Sequence, residues 1–547
     1  MRGIWSIAKH TFAQCVRMKL AAAFIVLLAV ALLALPAQMT GDGTLAGQIR
    51  AFLAYGTGIA LGLLSIMTIF VGASMVSNDI RTKQIFTVAV KPLARWQYLL
   101  GRWVGLVLFD TMLLFLACAA IYATAEHLRT KETTSLGRVS VSDRRAVETE
   151  VFAARRQIKP DPLPLETVLS RRVEQLKTSG QYQSALEGWM TRANGDERQA
   201  ERMLLSQLQR QIGGKLQSIA SNGTMDWTFS NVNVAGHEIH EKAHVVTPLD
   251  KAGFLQLRMP ESFACRLWMN GPVRVNGLDA RVAATDGHRV VVGFAKTGNW
   301  RQRVSGLVAG DTVDILVEPI LQIAYKLTPT DHKALPNGKF QGMWQVTDGT
   351  GPGLRWSWLP DVKQQRTTVS TSSRMVGEDG RLVFSIHNAS PTSAEVLHRD
   401  VTLLYNVGAF ESNFVRASAL MLCQLAYLAA VSIFAGSFVS FPVACLLCFT
   451  LVPFSLARTF LTEAVSLSLS GETDVMTLLA HHVFKPINML LPDFARTMPG
   501  DRLVEGMDIS WAFVGDTAMA DVLIRAGVTL LLACLVFHRR ELARVQV

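Results

Sequence analysis

The sequence predicts a polytopic α-helical membrane protein with six transmembrane helices, three before and three after a large extracytoplasmic α+β insert. Three observations predict it. Half of the 547 residues are apolar, mean hydropathy is +0.26 and the net charge is +11, a balance seldom found in soluble enzymes. Six regions approach the roughly 20 apolar residues that a spanning helix needs. Lys and Arg cluster beside alternate ends of these regions, as the positive-inside rule requires.

In chain order the spans are expected at 20–36, 51–77, 98–124, 414–438, 441–462 and 521–538. No small-residue cleavage pattern follows the first apolar run, which reads as a retained span. The basic clusters are Arg2, Lys9, Arg17 and Lys19; Arg81, Lys83, Lys91, Arg95 and Arg102 against Asp79; and Arg539, Arg540 and Arg544. All three are expected on the cytoplasmic side, which puts 37–50, 126–412 and the loop 463–520 outside. That last loop holds Glu463, Glu472, Asp474, Asp493, Asp501, Glu505, Asp508 and Asp516 against Lys485, Arg496 and Arg502, in keeping with the parity. Six of the seven cysteines lie in or beside apolar segments and only Cys265 in the polar middle, so no disulfide framework is available there.

Residues 1–19 read as an amphipathic interfacial helix. At 100° per residue Arg2, Ser6, Lys9, His10 and Arg17 share one face, while Ile4, Trp5, Ala8, Phe12 and Cys15 fall towards the other. A plain basic topogenic tail is the alternative. Within the insert, residues 126–224 are expected to be helical: Leu165, Val168, Leu169, Val173 and Leu176, and later Leu204, Leu205, Leu208, Ile212, Leu216 and Ile219, recur at helical spacing, giving two or three amphipathic helices. From 225 to 412 short alternating runs such as WTFSNVNV, RVVVGF, TVDILV and RLVFSIH are separated by Gly, Pro, Asn and Asp, which predicts an antiparallel β-sandwich.

The segment 78–102, between the second and third apolar runs, carries the most specific pattern. Asp79, Arg81, Ile85 and Thr87, then Lys91-Pro92, Arg95-Trp96, Tyr98 and Gly101-Arg102 resemble the coupling segment of ABC-2-type transporter permeases. SFVSFPVACLL (437–447), INMLLPDFARTM (487–498) and FHRREL (537–542) resemble further stretches of that family's membrane core. The family's Gly-Thr is replaced by Lys83-Gln84-Ile85, and the insert 126–412 lies outside the resemblance.

The resemblance implies a permease subunit, not itself an enzyme, in a bacterial inner membrane. Its ATPase-coupling residues would be Asp79, Arg81, Lys83, Ile85, Lys91, Pro92, Arg95, Trp96 and Gly101. It also implies a separate ABC ATPase subunit that carries ATP and Mg, and a second permease copy beside membrane lipids. No nucleic acid is expected, and no cofactor in this chain. Physically, Pro92 ends or bends a short helix, basic residues can meet anionic headgroups or carboxylates, and Ile85, Phe86, Val88 and Trp96 offer apolar anchors. An ordinary positive loop has the same composition. No G-x-x-x-x-G-K-[ST] occurs; Gly213-Gly214-Lys215 is followed by Leu216.

Two other features point elsewhere. His240-Glu241-Lys242-Ala243-His244 matches H-E-x-x-H, which on a helix sets two zinc ligands on one face and would make the chain a metalloprotease. Its flanks read as strand and loop, so weaker metal binding through His237, His240 and His244, or a solvated loop, competes. Asp110, Arg458 and Arg525 fall within spans, where ionisable groups are costly and mark either function or helix pairing. A membrane-anchored binding or assembly factor acting through its outer domain is the remaining alternative.

Overall fold

The apolar runs form long helices, and the polar insert folds by itself. The computed structural model describes every residue except 1, 40–41, 83–93, 132, 135–136, 192, 194–195, 235–238, 249–252, 265–266, 268–270, 287, 295–303, 305, 318–319, 332, 336–339, 349–353, 359–366, 459, 461–490 and 540–547. Two compact units result: Met1–Ala154 with Gly408–Val547, and Arg155–Val407.

The first unit contains α1 (Arg2–Arg17), α2 (Lys19–Gln38), α3 (Leu45–Arg81), α4 (Arg95–Arg129), α5 (Phe410–Phe438), α6 (Phe441–Leu456), α7 (Trp511–Thr517) and α8 (Gly527–Arg539). A π-helical stretch, Ala518–Ala526, joins α7 and α8 into one rod. Among the described residues, five helices are long and apolar enough to cross a membrane: α2, α3, α4, α5 and the α7–α8 rod. Of the expected fifth span over 441–462, α6 covers 16 residues, a rise of about 24 Å; 459, 461 and 462 lie outside the described residues. The last span starts ten residues earlier than expected, at Trp511.

Small residues let these helices meet. A Cβ on Gly72 would lie 2.0 Å from Ser432 Oγ, and one on Gly436 would lie 2.8 Å from the Ala73 carbonyl oxygen. Contact this close between α3 and α5 replaces the hydrophobic drive that lipid cannot supply. Phe70 packs on Phe441 and Phe449 at centroid distances of 6.1 and 5.4 Å, which draws α6 onto α3.

The Leu45 end of the bundle is tied by polar groups from residues 126–154. The sequence reading assigned these to the insert, but they belong to the membrane unit. Asp143 accepts from the amides of Leu45 (2.7 Å) and Ala46 (3.1 Å), and Thr44 Oγ1 accepts from Gly47 N (3.0 Å). Three orphan donors at the start of α3 are thereby satisfied. Arg129 meets Glu148 twice (2.7 and 2.5 Å), and Arg50 meets Glu150 (2.5 Å). Asp143→Ala is expected to cost about 0.5–2 kcal/mol, the usual loss for a cap, read as a lower thermal unfolding midpoint of the detergent-solubilised chain. Asp143→Asn should retain part of it.

The second unit starts with Leu165–Thr178, Gln181–Met190 and Glu197–Lys215, three amphipathic helices sharing a core of Leu176, Leu186, Ala200 and Leu204. Two four-stranded antiparallel sheets follow. Thr367–Ser372, Ile320–Tyr325, Thr402–Gly408 and Ala154–Ile158 make one; Leu354–Trp358, Gly342–Thr347, Leu382–Asn388 and Thr224–Phe229 make the other. Phe384 meets Tyr325 across the two at 5.6 Å, and both are buried. This face-to-face pair is the sandwich.

The sequence reading did not separate out a further body. Ile239–Thr247, Phe254–Arg258, Pro272–Val275, Leu278–Asp286, Arg289–Phe294 and Thr312–Val317 close into a six-stranded barrel. Its interior is filled, with Val245, Leu257, Val273, Val282, Val292 and Ile315 at most 2% exposed. Asn276 (φ 48°) and Gly277 (φ 78°) form the two-residue turn of one hairpin, flanked by the pair Val275 and Leu278. Positive φ at both positions is what the tight hairpin turn requires.

Candidate functional site

The segment 83–93, with Lys83, Ile85, Lys91 and Pro92, lies outside the described residues. Its two flanks are well defined. On the α3 side, Asp79 is buried and Arg81 donates to Asn78 Oδ1 (3.0 Å). On the α4 side, Trp96 is half exposed, while Tyr98 and Arg102 turn inward.

Asp79 Oδ2 accepts hydrogen bonds from both the Tyr98 hydroxyl and Arg102 Nη2, locking the end of α3 to the first turns of α4. Arg102 Nη1 also donates to Gln14 Oε1 (2.5 Å) and Thr11 Oγ1 (3.3 Å) of α1. One guanidinium therefore joins three helices. Its planar fork of five donors, fixed in direction and carried on two terminal nitrogens, suits this. The Asp79 and Arg102 side chains are 4% and 7% exposed, so each charge depends on the other for neutralisation.

Two glycines make the approach of α1 possible. A Cβ on Gly101 would lie 2.7 Å from Ile7 Cβ, and one on Gly105 would lie 2.6 Å from the Ala8 carbonyl oxygen. Spaced four apart, they form a groove on α4. The buried stripe of α1 is Ala8, Thr11 and Cys15, each 0% exposed. Trp5, placed on the apolar face from periodicity, is 52% exposed with Lys9 Nζ 5.5 Å from its ring centroid. The face of α1 packed against protein is its small-residue stripe.

Two more bonds extend the cluster. Arg95 Nη1 donates to the His538 carbonyl (3.0 Å) at the end of α8, and Trp103 Nε1 donates to the Ala426 carbonyl (2.8 Å) of α5. Residues 95–103 consequently touch α1, α3, α5 and α8.

Of the residues singled out from the sequence, Asp79, Arg95 and Gly101 belong to this cluster, and Arg81 and Trp96 flank it. Thr11, Gln14 and Gly105 were missed. The four-residue spacing of Gly101 and Gly105 was the available signal; nothing local marks Thr11 or Gln14. Asp110 is fully buried elsewhere in the bundle, where Thr68 Oγ1 donates to its Oδ1 (3.0 Å). Arg525 pairs with Asp521 one turn earlier, and Arg458 has Arg525, Asp493 and Asp521 as charged neighbours. These intramembrane groups lie apart from the Asp79 cluster.

His240 and His244 sit on the strand Ile239–Thr247, not on a helix. Four residues of extended chain separate them by about 13 Å, against one helical turn in the zinc motif, so the two imidazoles do not converge on one ion. His244 Nδ1 instead contacts Thr312 Oγ1 (3.3 Å) on the neighbouring strand. His237 lies outside the described residues. No group of three His, Cys, Asp or Glu suited to a metal occurs among the described residues. In comparisons with known proteins, the chain matches no family model, no curated protein and no solved structure.

Proposed function

We propose that this chain is the membrane-spanning permease subunit of an ATP-driven transporter, and that 78–102 is where a separate ATPase subunit docks. The observation that carries this reading is the Asp79–Tyr98–Arg102 cluster. It makes both flanks of the segment, together with α1, one mechanical body. A docking site must convert a push into movement of several helices, and a loop that merely satisfied the positive-inside rule would need no buried ion pair at its base. The basic character of the segment supports a cytoplasmic position, where nucleotide is available. The chain itself has no phosphate-cradling loop, so the work comes from a partner.

Copurification tests this. An ATPase with a Walker-type loop, encoded beside this chain, is expected to bind the wild type and to lose at least tenfold in affinity for a variant with Arg81, Ile85 and Arg95 all changed to Ala. Full retention by that variant overturns the docking site. If no ATPase binds and the 155–407 unit captures a partner, the chain is a membrane-anchored binding factor.

A further inference from the structure

We propose that a cavity between α3, α5 and α6 is a lipid site, taking one acyl chain of a membrane phospholipid whose headgroup donates hydrogen bonds, such as an ethanolamine. The proposal does not depend on the permease reading.

The cavity measures about 280 Å³ and is walled mainly by Leu, Ile, Val, Phe and Met side chains. A smaller one of about 60 Å³ adjoins it, sharing Gly58, Leu61 and Met498. The larger space far exceeds the roughly 10–15 Å³ that one water needs. Water is a poor occupant of so apolar a wall. The lining from Gly58 to Ile69 straddles Leu63, the midpoint of α3, so it lies at the depth of the hydrocarbon.

Further along the same helix Gly72 is filled to overlap by Ser432, whereas a Cβ on Gly58 or Gly62, both of which line the cavity, meets nothing within 4 Å. Glycines that weaken a helix without admitting a neighbouring helix leave room for something else.

The polar atoms select the headgroup. Gln424 is 3% exposed; its amide nitrogen donates to Thr497 Oγ1 (2.8 Å), and its carbonyl oxygen takes no hydrogen bond from a described residue. At the smaller chamber the Thr57 hydroxyl spends its proton on the Leu53 carbonyl (2.7 Å), and the exposed Asp501 carboxylate lines the rim. The side-chain oxygens of Gln424, Thr57 and Asp501 are left as acceptors. An occupant with a donor-bearing or cationic head at the Asp501 end and a hydrocarbon tail along Gly58 and Gly62 satisfies both chambers.

Native mass spectrometry of the purified full chain, offered phosphatidylethanolamine and phosphatidylglycerol with identical oleoyl chains, tests this. One phosphatidylethanolamine per chain, retained at least tenfold over phosphatidylglycerol, is expected. Gly58→Leu with Gly62→Leu should lower retention at least tenfold, and Asp501→Asn should abolish the headgroup preference. Equal binding of both lipids by the wild type, or a preference that survives Asp501→Asn, overturns the headgroup assignment. Undiminished retention by the double variant overturns the chamber. Should that variant not fold, a phosphatidylethanolamine with a diazirine in its acyl chain must label 58–69 or 424–428 of the wild type. Labelling only elsewhere overturns the site.

Discussion

Arg102→Ala is expected to destabilise the detergent-solubilised chain by about 3–5 kcal/mol, the usual result of removing one partner from a buried ion pair. Asp79 would be left charged with only the Tyr98 hydroxyl, in a site 4% exposed. Thermal unfolding should show the loss. Asp79→Asn combined with Arg102→Gln should cost much less than the sum of the two single changes, because no uncompensated charge remains. The neutral pair also separates fold from function. If the chain is the proposed permease and the cluster transmits force, the double variant should fold and bind the proposed ATPase yet lose ATP-driven transport. Normal transport by a well-folded double variant would reduce the cluster to a structural pair.

Gly105→Leu should release α1. Its new Cβ would sit 2.6 Å from both the Ala8 carbonyl oxygen and Thr11 Cβ, and the first of these is backbone that cannot rotate away. Overpacking of this kind costs about 1–3 kcal/mol. Here it should also separate Thr11 and Gln14 from Arg102. Limited trypsin digestion of an N-terminally tagged chain checks it, since cleavage at Arg17 or Lys19 should become at least tenfold faster. Gly515→Ala, where a Cβ meets nothing within 4 Å, should leave cleavage unchanged and raise stability by about 0.5–1 kcal/mol, as helical Gly→Ala changes do. Unchanged cleavage in Gly105→Leu would mean that α1 is held by something other than this groove.

Much of the architecture was legible because helix and strand periodicity are local. The apolar runs at 20–36, 51–77, 98–124 and 414–438 each lie inside a helix, and the runs beginning at Leu165 and Leu204 fall on amphipathic helices. Asn276-Gly277 marks its hairpin through backbone chemistry alone. Sandwich and barrel strands alternate in the same way, so closure was invisible. It depends on long-range pairings, such as Thr312 with His244 and Arg289 with Arg258. Periodicity likewise gave α1 an apolar face, but not the small-residue stripe that Gly101 and Gly105 admit. The histidine motif carries its zinc geometry only on a helix, and its β-branched surroundings made it a strand.

By itself the sequence determined that this is a membrane protein with a large polar insert, since hydrocarbon leaves backbone amides no option but helices long enough to cross it. It also pointed to the segment around Asp79 and Arg102 as basic and unusual. Only the tertiary structure decided how those charges are satisfied. Arg102 lies 23 residues from Asp79 and 88 from Gln14. Neutralising a buried charge depends on distances of about 3 Å in space, which composition and periodicity do not encode.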